Sequence, residues 1–140
     1  MKYAVCFALF LGLTIFSSCG SDQDFAPADN ALVAAQKFIG GCLKGDFKQA
    51  AYYVKTDSVN NAQLAKLKEA YYHNNSDQRV EYRSANIIIQ NDETVTPTEE
   101  IITYQNSYDK ITRKLKSVKT ADGWKVDLKY TFSGNLWTQN

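Results

Sequence analysis

Little in this chain is suited to holding a metal ion or a nucleic acid. Among its 140 residues there is one histidine, His73, set in the polar run YHNNSDQR. Metal centres draw on several His, Cys or acidic ligands at defined spacings, and no such spacing occurs, so no metal or other cofactor is expected. Charge of one sign is also lacking: 16 Lys and Arg stand against 15 Asp and Glu, and setting Lys2 aside makes the two equal. A nucleic-acid partner calls for a basic face or a high isoelectric point, so none is expected. Long hydrophobic runs are missing too. The longest, YAVCFALFLGLTIF after Lys2, is too short and too lightly flanked for a spanning helix, which needs about 20 apolar residues. No internal repeat or low-complexity segment follows it.

What is present begins at the N-terminus. Residues 1–18 combine one positive charge, an apolar centre and the small residues Ser17 and Ser18, which is the pattern of a secretory signal. The stretch FSSC followed by Gly20 resembles the lipobox of bacterial lipoproteins, in which the cysteine is acylated and becomes the mature N-terminus. The competing reading is an ordinary signal cut near Ser18 with Cys19 as a bystander; composition, distance from the start and flanking residues agree on lipidation. More than one acyl chain anchors stably, at about 0.8 kcal/mol per buried methylene, so the domain itself need not touch lipid. Residues 19–26 form an acidic tether, and SDQD within it is similar to the serine-and-aspartate tag that sends some Gram-negative lipoproteins to the outer face of the outer membrane. The expected location is therefore the bacterial outer membrane, lipid-anchored, with the periplasmic and cell-surface sides both open. Cys6 leaves with the signal and Cys19 is taken by lipid, so Cys42 remains and no internal disulfide forms. It falls on the apolar side of an expected helix, as a buried, inert thiol.

Residues 27–140 are enough chain for one domain with its own core. A first helix is expected with Pro27 in its first turn and Asp29 close behind. Leu32, Ala35, Phe38, Ile39, Cys42 and Leu43 form its buried stripe. Gly40 and Gly41 inside it predict the close approach of another element, and Gly45 predicts a left-handed end. Asp46 with Gln49 gives a capping-box-like start to a second helix, in which Phe47, Ala50, Ala51 and Val54 are apolar. SVNNAQLAKLKEAYYH predicts a third. From Val80 the period becomes strand-like in VEYRSANIIIQ, EEIITYQN, DKITRKLKSVK and WKVDLKYTF. In the last, alternation places Trp124, Val126, Leu128, Tyr130 and Phe132 on one face. TADG predicts a tight hairpin, Pro97 a loop or an edge, and SGNLWTQN a short tail. The order is α+β: three N-terminal helices packed on a curved four-stranded antiparallel sheet.

The lipobox, the stretch AAQKFIGGCLKGDFKQA and the closing KTADGWKVDL together resemble small bacterial lipoproteins of unknown function in the nuclear transport factor 2-like superfamily, with its cystatin-like α+β cone. The resemblance implies three helices against a strongly curved sheet, often with a cavity between them. It implies no activity, because the same fold hosts isomerases, dehydratases, dimerisation modules and binding domains.

A proton-moving enzyme on such a fold needs a carboxylate or histidine interrupting an apolar face. Asp127 is expected opposite Trp124, Asp46 is used as a cap, Asp57, Asp92 and Asp109 fall in loops or at strand ends, and His73 ends a helix. No catalytic residue is expected, which leaves an isomerase or dehydratase as the least favoured reading. Tyrosine is abundant, with 9 in the chain, and its apolar body and polar tip suit a pocket or an interface as well as a core. Phe38, Tyr52, Tyr71, Tyr104, Trp124 and Tyr130 are the expected lining of a cavity for a small apolar ligand or a peptide. The alternative is a structural or interaction module that forms a homodimer or docks on a partner through its sheet.

Overall fold

The computed structural model describes residues 25–132. The expected signal peptide, Cys19, the tether up to Asp24 and the tail from Ser133 onward lie outside the described residues. Helix α1 spans Ala31–Lys44, and its N-cap is Asn30, whose side chain accepts from the Val33 N–H at 2.8 Å. Pro27 and Asp29 therefore precede the helix instead of opening it. Between them Ala28 forms an isolated antiparallel bridge with Trp124, its carbonyl accepting from Trp124 N–H at 3.1 Å. Phe25 and Ala26, assigned to the tether on sequence, already belong to the domain: the Phe25 ring lies 5.4 Å from that of Tyr52, and Tyr53 Oη donates to the Ala26 carbonyl at 2.8 Å.

Gly45 ends α1 at φ 75, as expected. Of the two glycines inside the helix, Gly41 is the one that needs to be glycine. A Cβ there would lie 2.9 Å from both Ala50 N and Asp46 O, the backbone of α2 (Phe47–Tyr52), whereas at Gly40 the nearest atom is 3.9 Å away. Asp46 caps α2 by accepting from Gln49 N–H at 2.9 Å. The Gln49 side chain does not close the box; it donates to the Lys37 carbonyl at 2.6 Å and ties α2 back onto α1. Helix α3, Ser58–His73, occupies the expected stretch behind an Asp57 cap.

A fourth helix precedes the sheet, where three were expected. α4 spans Ser76–Ser84 and takes in Val80–Ser84, read on sequence as the start of a strand. Its start is a complete capping box between Asn75 and Gln78, with bonds of 2.9 and 3.0 Å. No residue of α4 is buried, so it lacks the apolar stripe from which a helical period is read.

The sheet is an antiparallel meander in the order β1-β2-β3-β4. Its strands are β1 Ile87–Thr96, β2 Glu99–Asn106, β3 Arg113–Thr120 and β4 Gly123–Asp127. β1 starts seven residues later than expected and runs on past Gln90 to Thr96; it slips register near Gln90 and near Val95, irregularities that bend and twist a strand. Pro97 sits in the turn between β1 and β2, and Gly123, at φ 93, supplies the positive φ of the last hairpin.

β4 stops at Asp127, and the expected run to Phe132 is instead a short helix, α5, Leu128–Phe132. Two side chains turn it: Asp127 Oδ1 accepts from Lys129 N–H at 3.1 Å, and the fully buried Asn60 of α3 accepts from Leu128 N–H at 2.9 Å. Asp127 is thus buried instead of facing water, and Tyr130 leaves the strand face. The core lies between α1 and the sheet, with Ala31, Ala34, Ala35 and Phe38 against Ile102, Leu115, Val126 and Leu128, each 1% exposed or less. Among the described residues no helix is long and apolar enough to cross a membrane.

Candidate functional site

Near the N-terminus of α1, Ala31, Ala34 and Ala35 are fully buried, and the Ala31 carbonyl accepts from Ser117 Oγ of β3 at 3.0 Å. Toward the C-terminus of α1 a half-enclosed cavity of about 350 Å³ opens beside it. Its walls are apolar: Phe38, Ile39 and Leu43 from α1, Phe47 from α2, and Leu67 and Tyr71 from α3. Phe47 and Tyr71 meet edge to face at 5.7 Å, which fixes that wall. Ala70, Asn74 and Ile111 are partly or fully exposed and form the rim, while Tyr104, Asn106 and Arg113 are buried and form the floor.

The floor is polar because of one strand pair and the loop joining it. Tyr104 of β2 lies opposite Arg113 of β3 in the register, so their side chains share a face. The Arg113 guanidinium binds the Asp109 carboxylate with two bonds, 2.9 Å to Oδ1 and 2.7 Å to Oδ2, and the two side chains are 8% and 11% exposed. Nη1 of Arg113 also donates to the Ile111 carbonyl at 3.1 Å. Asp109 further accepts from Ile111 N–H at 3.0 Å and from Tyr82 Oη at 3.3 Å. The Asn106 side chain shapes the loop by accepting from the N–H groups of Tyr108 and Asp109 at 3.0 and 2.9 Å.

Burial acts to raise the Asp109 carboxyl, but the bonds from Arg113, Ile111 and Asn106 outweigh it and leave it below the usual carboxylate range. Burial alone would lower Arg113, and Asp109 reverses that, so its pKa is raised. The pair is charged and balanced. Burial also raises Tyr82 and, more strongly, Tyr104, so both are neutral phenols at physiological pH. An ionised carboxylate already holding this many donors is a poor general base. His73 is exposed, its side chain 78% accessible beside Glu69 at 3.5 Å. Among the described residues no group of three or more His, Cys, Asp or Glu could hold a metal ion.

The chain matches no family model, no curated protein and no solved structure. The geometry therefore carries the functional argument.

Of the six residues expected to line a cavity, the fold brings three together: Phe38, Tyr71 and Tyr104. The other three are placed elsewhere. Tyr52 ends α2 beneath the Lys125 ammonium, 3.9 Å from its ring centre. Trp124 is buried under the start of α1, where it pairs with Ala28. Tyr130 is carried away by α5 and lies 6.0 Å from Lys116 Nζ. The polar floor was not anticipated, although a signal existed. In RKLKSVK, alternation puts Arg113 on the same side as Leu115 and Ser117, both fully buried, so an arginine faces inward and needs a partner.

Cys42 also lines the cavity and is only half-buried there, where a buried thiol was expected; what burial it has pushes the thiol up to about 12 from an ordinary 9.0. At pH 8 that lowers the reactive thiolate fraction about a thousandfold. With Cys6 and Cys19 replaced by serine, iodoacetamide at pH 8 should alkylate the folded protein about a thousandfold more slowly than the urea-unfolded chain. A ratio below ten would mean that the cavity wall is open at Cys42.

Proposed function

We propose that this chain is a membrane-anchored bacterial lipoprotein of the nuclear transport factor 2-like cone type, whose domain binds a small apolar ligand or the apolar end of a peptide without catalysis. The observation that carries the binding reading is the cavity of about 350 Å³ between α1, α3 and the sheet, walled by apolar side chains around a buried polar floor. A concave, mostly apolar space with a few convergent polar groups is the usual form of a small-molecule site. The anchor rests on the sequence around Cys19, and the cone assignment on a four-stranded antiparallel meander packed against helices. Docking through the sheet has less to rest on. Ile88 and Val95 are exposed on the edge strand β1, but exposed polar residues, Asp92 and Glu93 among them, separate the two, so no contiguous apolar patch results.

The test uses cells making the full chain. Wild type should pellet with membranes and dissolve only in detergent, while Cys19→Ser should be released; release of both, or retention of both, would sink the anchor. Native mass spectrometry of the released Cys19→Ser protein should show a bound mass of small-molecule size. Ala70→Trp, at the exposed rim, should abolish it without loss of fold, and a mass unaffected by that change would place binding elsewhere.

A further inference from the structure

The binding reading leaves the chemistry of the ligand open, and the floor of the cavity narrows it. Tyr104 is 3% exposed and lines the cavity, and its hydroxyl makes no hydrogen bond to any described residue. The oxygen is not among the buried polar atoms left without a partner, so it is open to the cavity as a donor. A bound acceptor there would replace cavity water at about the net worth of one hydrogen bond. The neighbouring charges are already matched. Arg113 and Asp109 cancel each other in a bidentate pair, and Tyr82 and the Ile111 N–H complete the carboxylate.

An anionic head on this floor would meet the Asp109 carboxylate as well as Arg113, because both line the cavity, and its desolvation would go largely uncompensated. A cationic head would find the carboxylate oxygens occupied. Resting on the binding reading above, we infer that the cavity takes an uncharged amphiphile, with its apolar body against Phe38, Ile39 and Leu67 and a neutral acceptor oxygen at Tyr104 Oη.

The experiment titrates the Cys19→Ser protein by calorimetry with decan-1-ol and with decanoate at pH 8, where the acid is ionised. The alcohol should bind at least tenfold more tightly. Tyr104→Phe should weaken the alcohol about five- to tenfold, the worth of one hydrogen bond, and leave decanoate unchanged. Because the hydroxyl has no partner in the fold, the same variant should melt no lower than its parent. Tighter binding of decanoate, an alcohol affinity indifferent to Tyr104→Phe, or a melting point lowered by several degrees would each overturn the inference while leaving apolar binding intact. Failure of both ligands to bind, together with no retained mass in the native protein, would remove the binding reading and the inference with it.

Discussion

Replacing Asp109 by alanine should lower stability by about 3–5 kcal/mol, the usual cost of removing one partner from a buried ion pair. For a domain of this size that is a drop in melting temperature on the order of 10–20 °C. The loss exceeds the worth of the two bonds to Arg113, because the guanidinium stays behind, 8% exposed, with its charge uncompensated. The Ile111 N–H and the Tyr82 hydroxyl lose their acceptor as well. The double variant Asp109→Ala/Arg113→Met removes the stranded charge and should recover part of the loss. Thermal melts of wild type, single and double variants decide it: a double variant no more stable than Asp109→Ala would mean that the stranded charge is not the cause.

The same pair sets an acid dependence. The folded-state pKa of Asp109 lies below the usual value, against burial and because of its donors. A carboxyl depressed on folding binds its proton more readily when unfolded, so its stabilisation is complete above the unfolded pKa of about 4. It is lost as pH falls through the folded value. The gap in stability between wild type and Asp109→Ala should be constant from neutrality down to about pH 5 and close progressively below about pH 4. Chemical denaturation along that range reads it directly, and a gap that widened in acid would reverse the assignment.

Phe38→Ala should cost about 3–5 kcal/mol and change what the cavity accepts. Phe38 is 1% exposed and stands between the core and the cavity, touching both. Its removal leaves space that close-packed neighbours fill only in part, and the remainder joins the existing 350 Å³. A longer or branched apolar ligand should then stabilise the variant against heat more than it stabilises wild type. Equal thermal shifts for both proteins would show that the new space does not connect with the old.

The contrast between what was readable and what was not follows from how far apart the interacting residues lie in the chain. α3 occupied its expected stretch because its cap and apolar period are local. The close approach at Gly41 and the left-handed turn at Gly45 were legible for the same reason, a glycine having a backbone cause wherever it stands. α4 was missed because its helical signal is a polar capping box with no buried stripe. β4 was drawn too long because its alternation continues past Asp127, while the bond that ends it comes from Asn60, 68 positions away. The cavity residues were half legible. Aromatic content suggested Phe38, Tyr71 and Tyr104, but nothing local separates them from Tyr52, Trp124 and Tyr130, which are equally aromatic and pack at other ends of the fold.

By itself the sequence determined the α+β order, the Asp46 cap, the turns at Gly45 and Gly123, the near-neutral charge balance and the expectation of an anchor at Cys19, because each is written in neighbouring residues. Only the tertiary structure decided that a cavity opens at one end of α1, that Arg113 and Asp109 neutralise each other on its floor, and that Tyr104 lines it with its hydroxyl open to a ligand. Those facts depend on which strand faces which helix and at what register, and long-range packing sets that choice where local propensity does not.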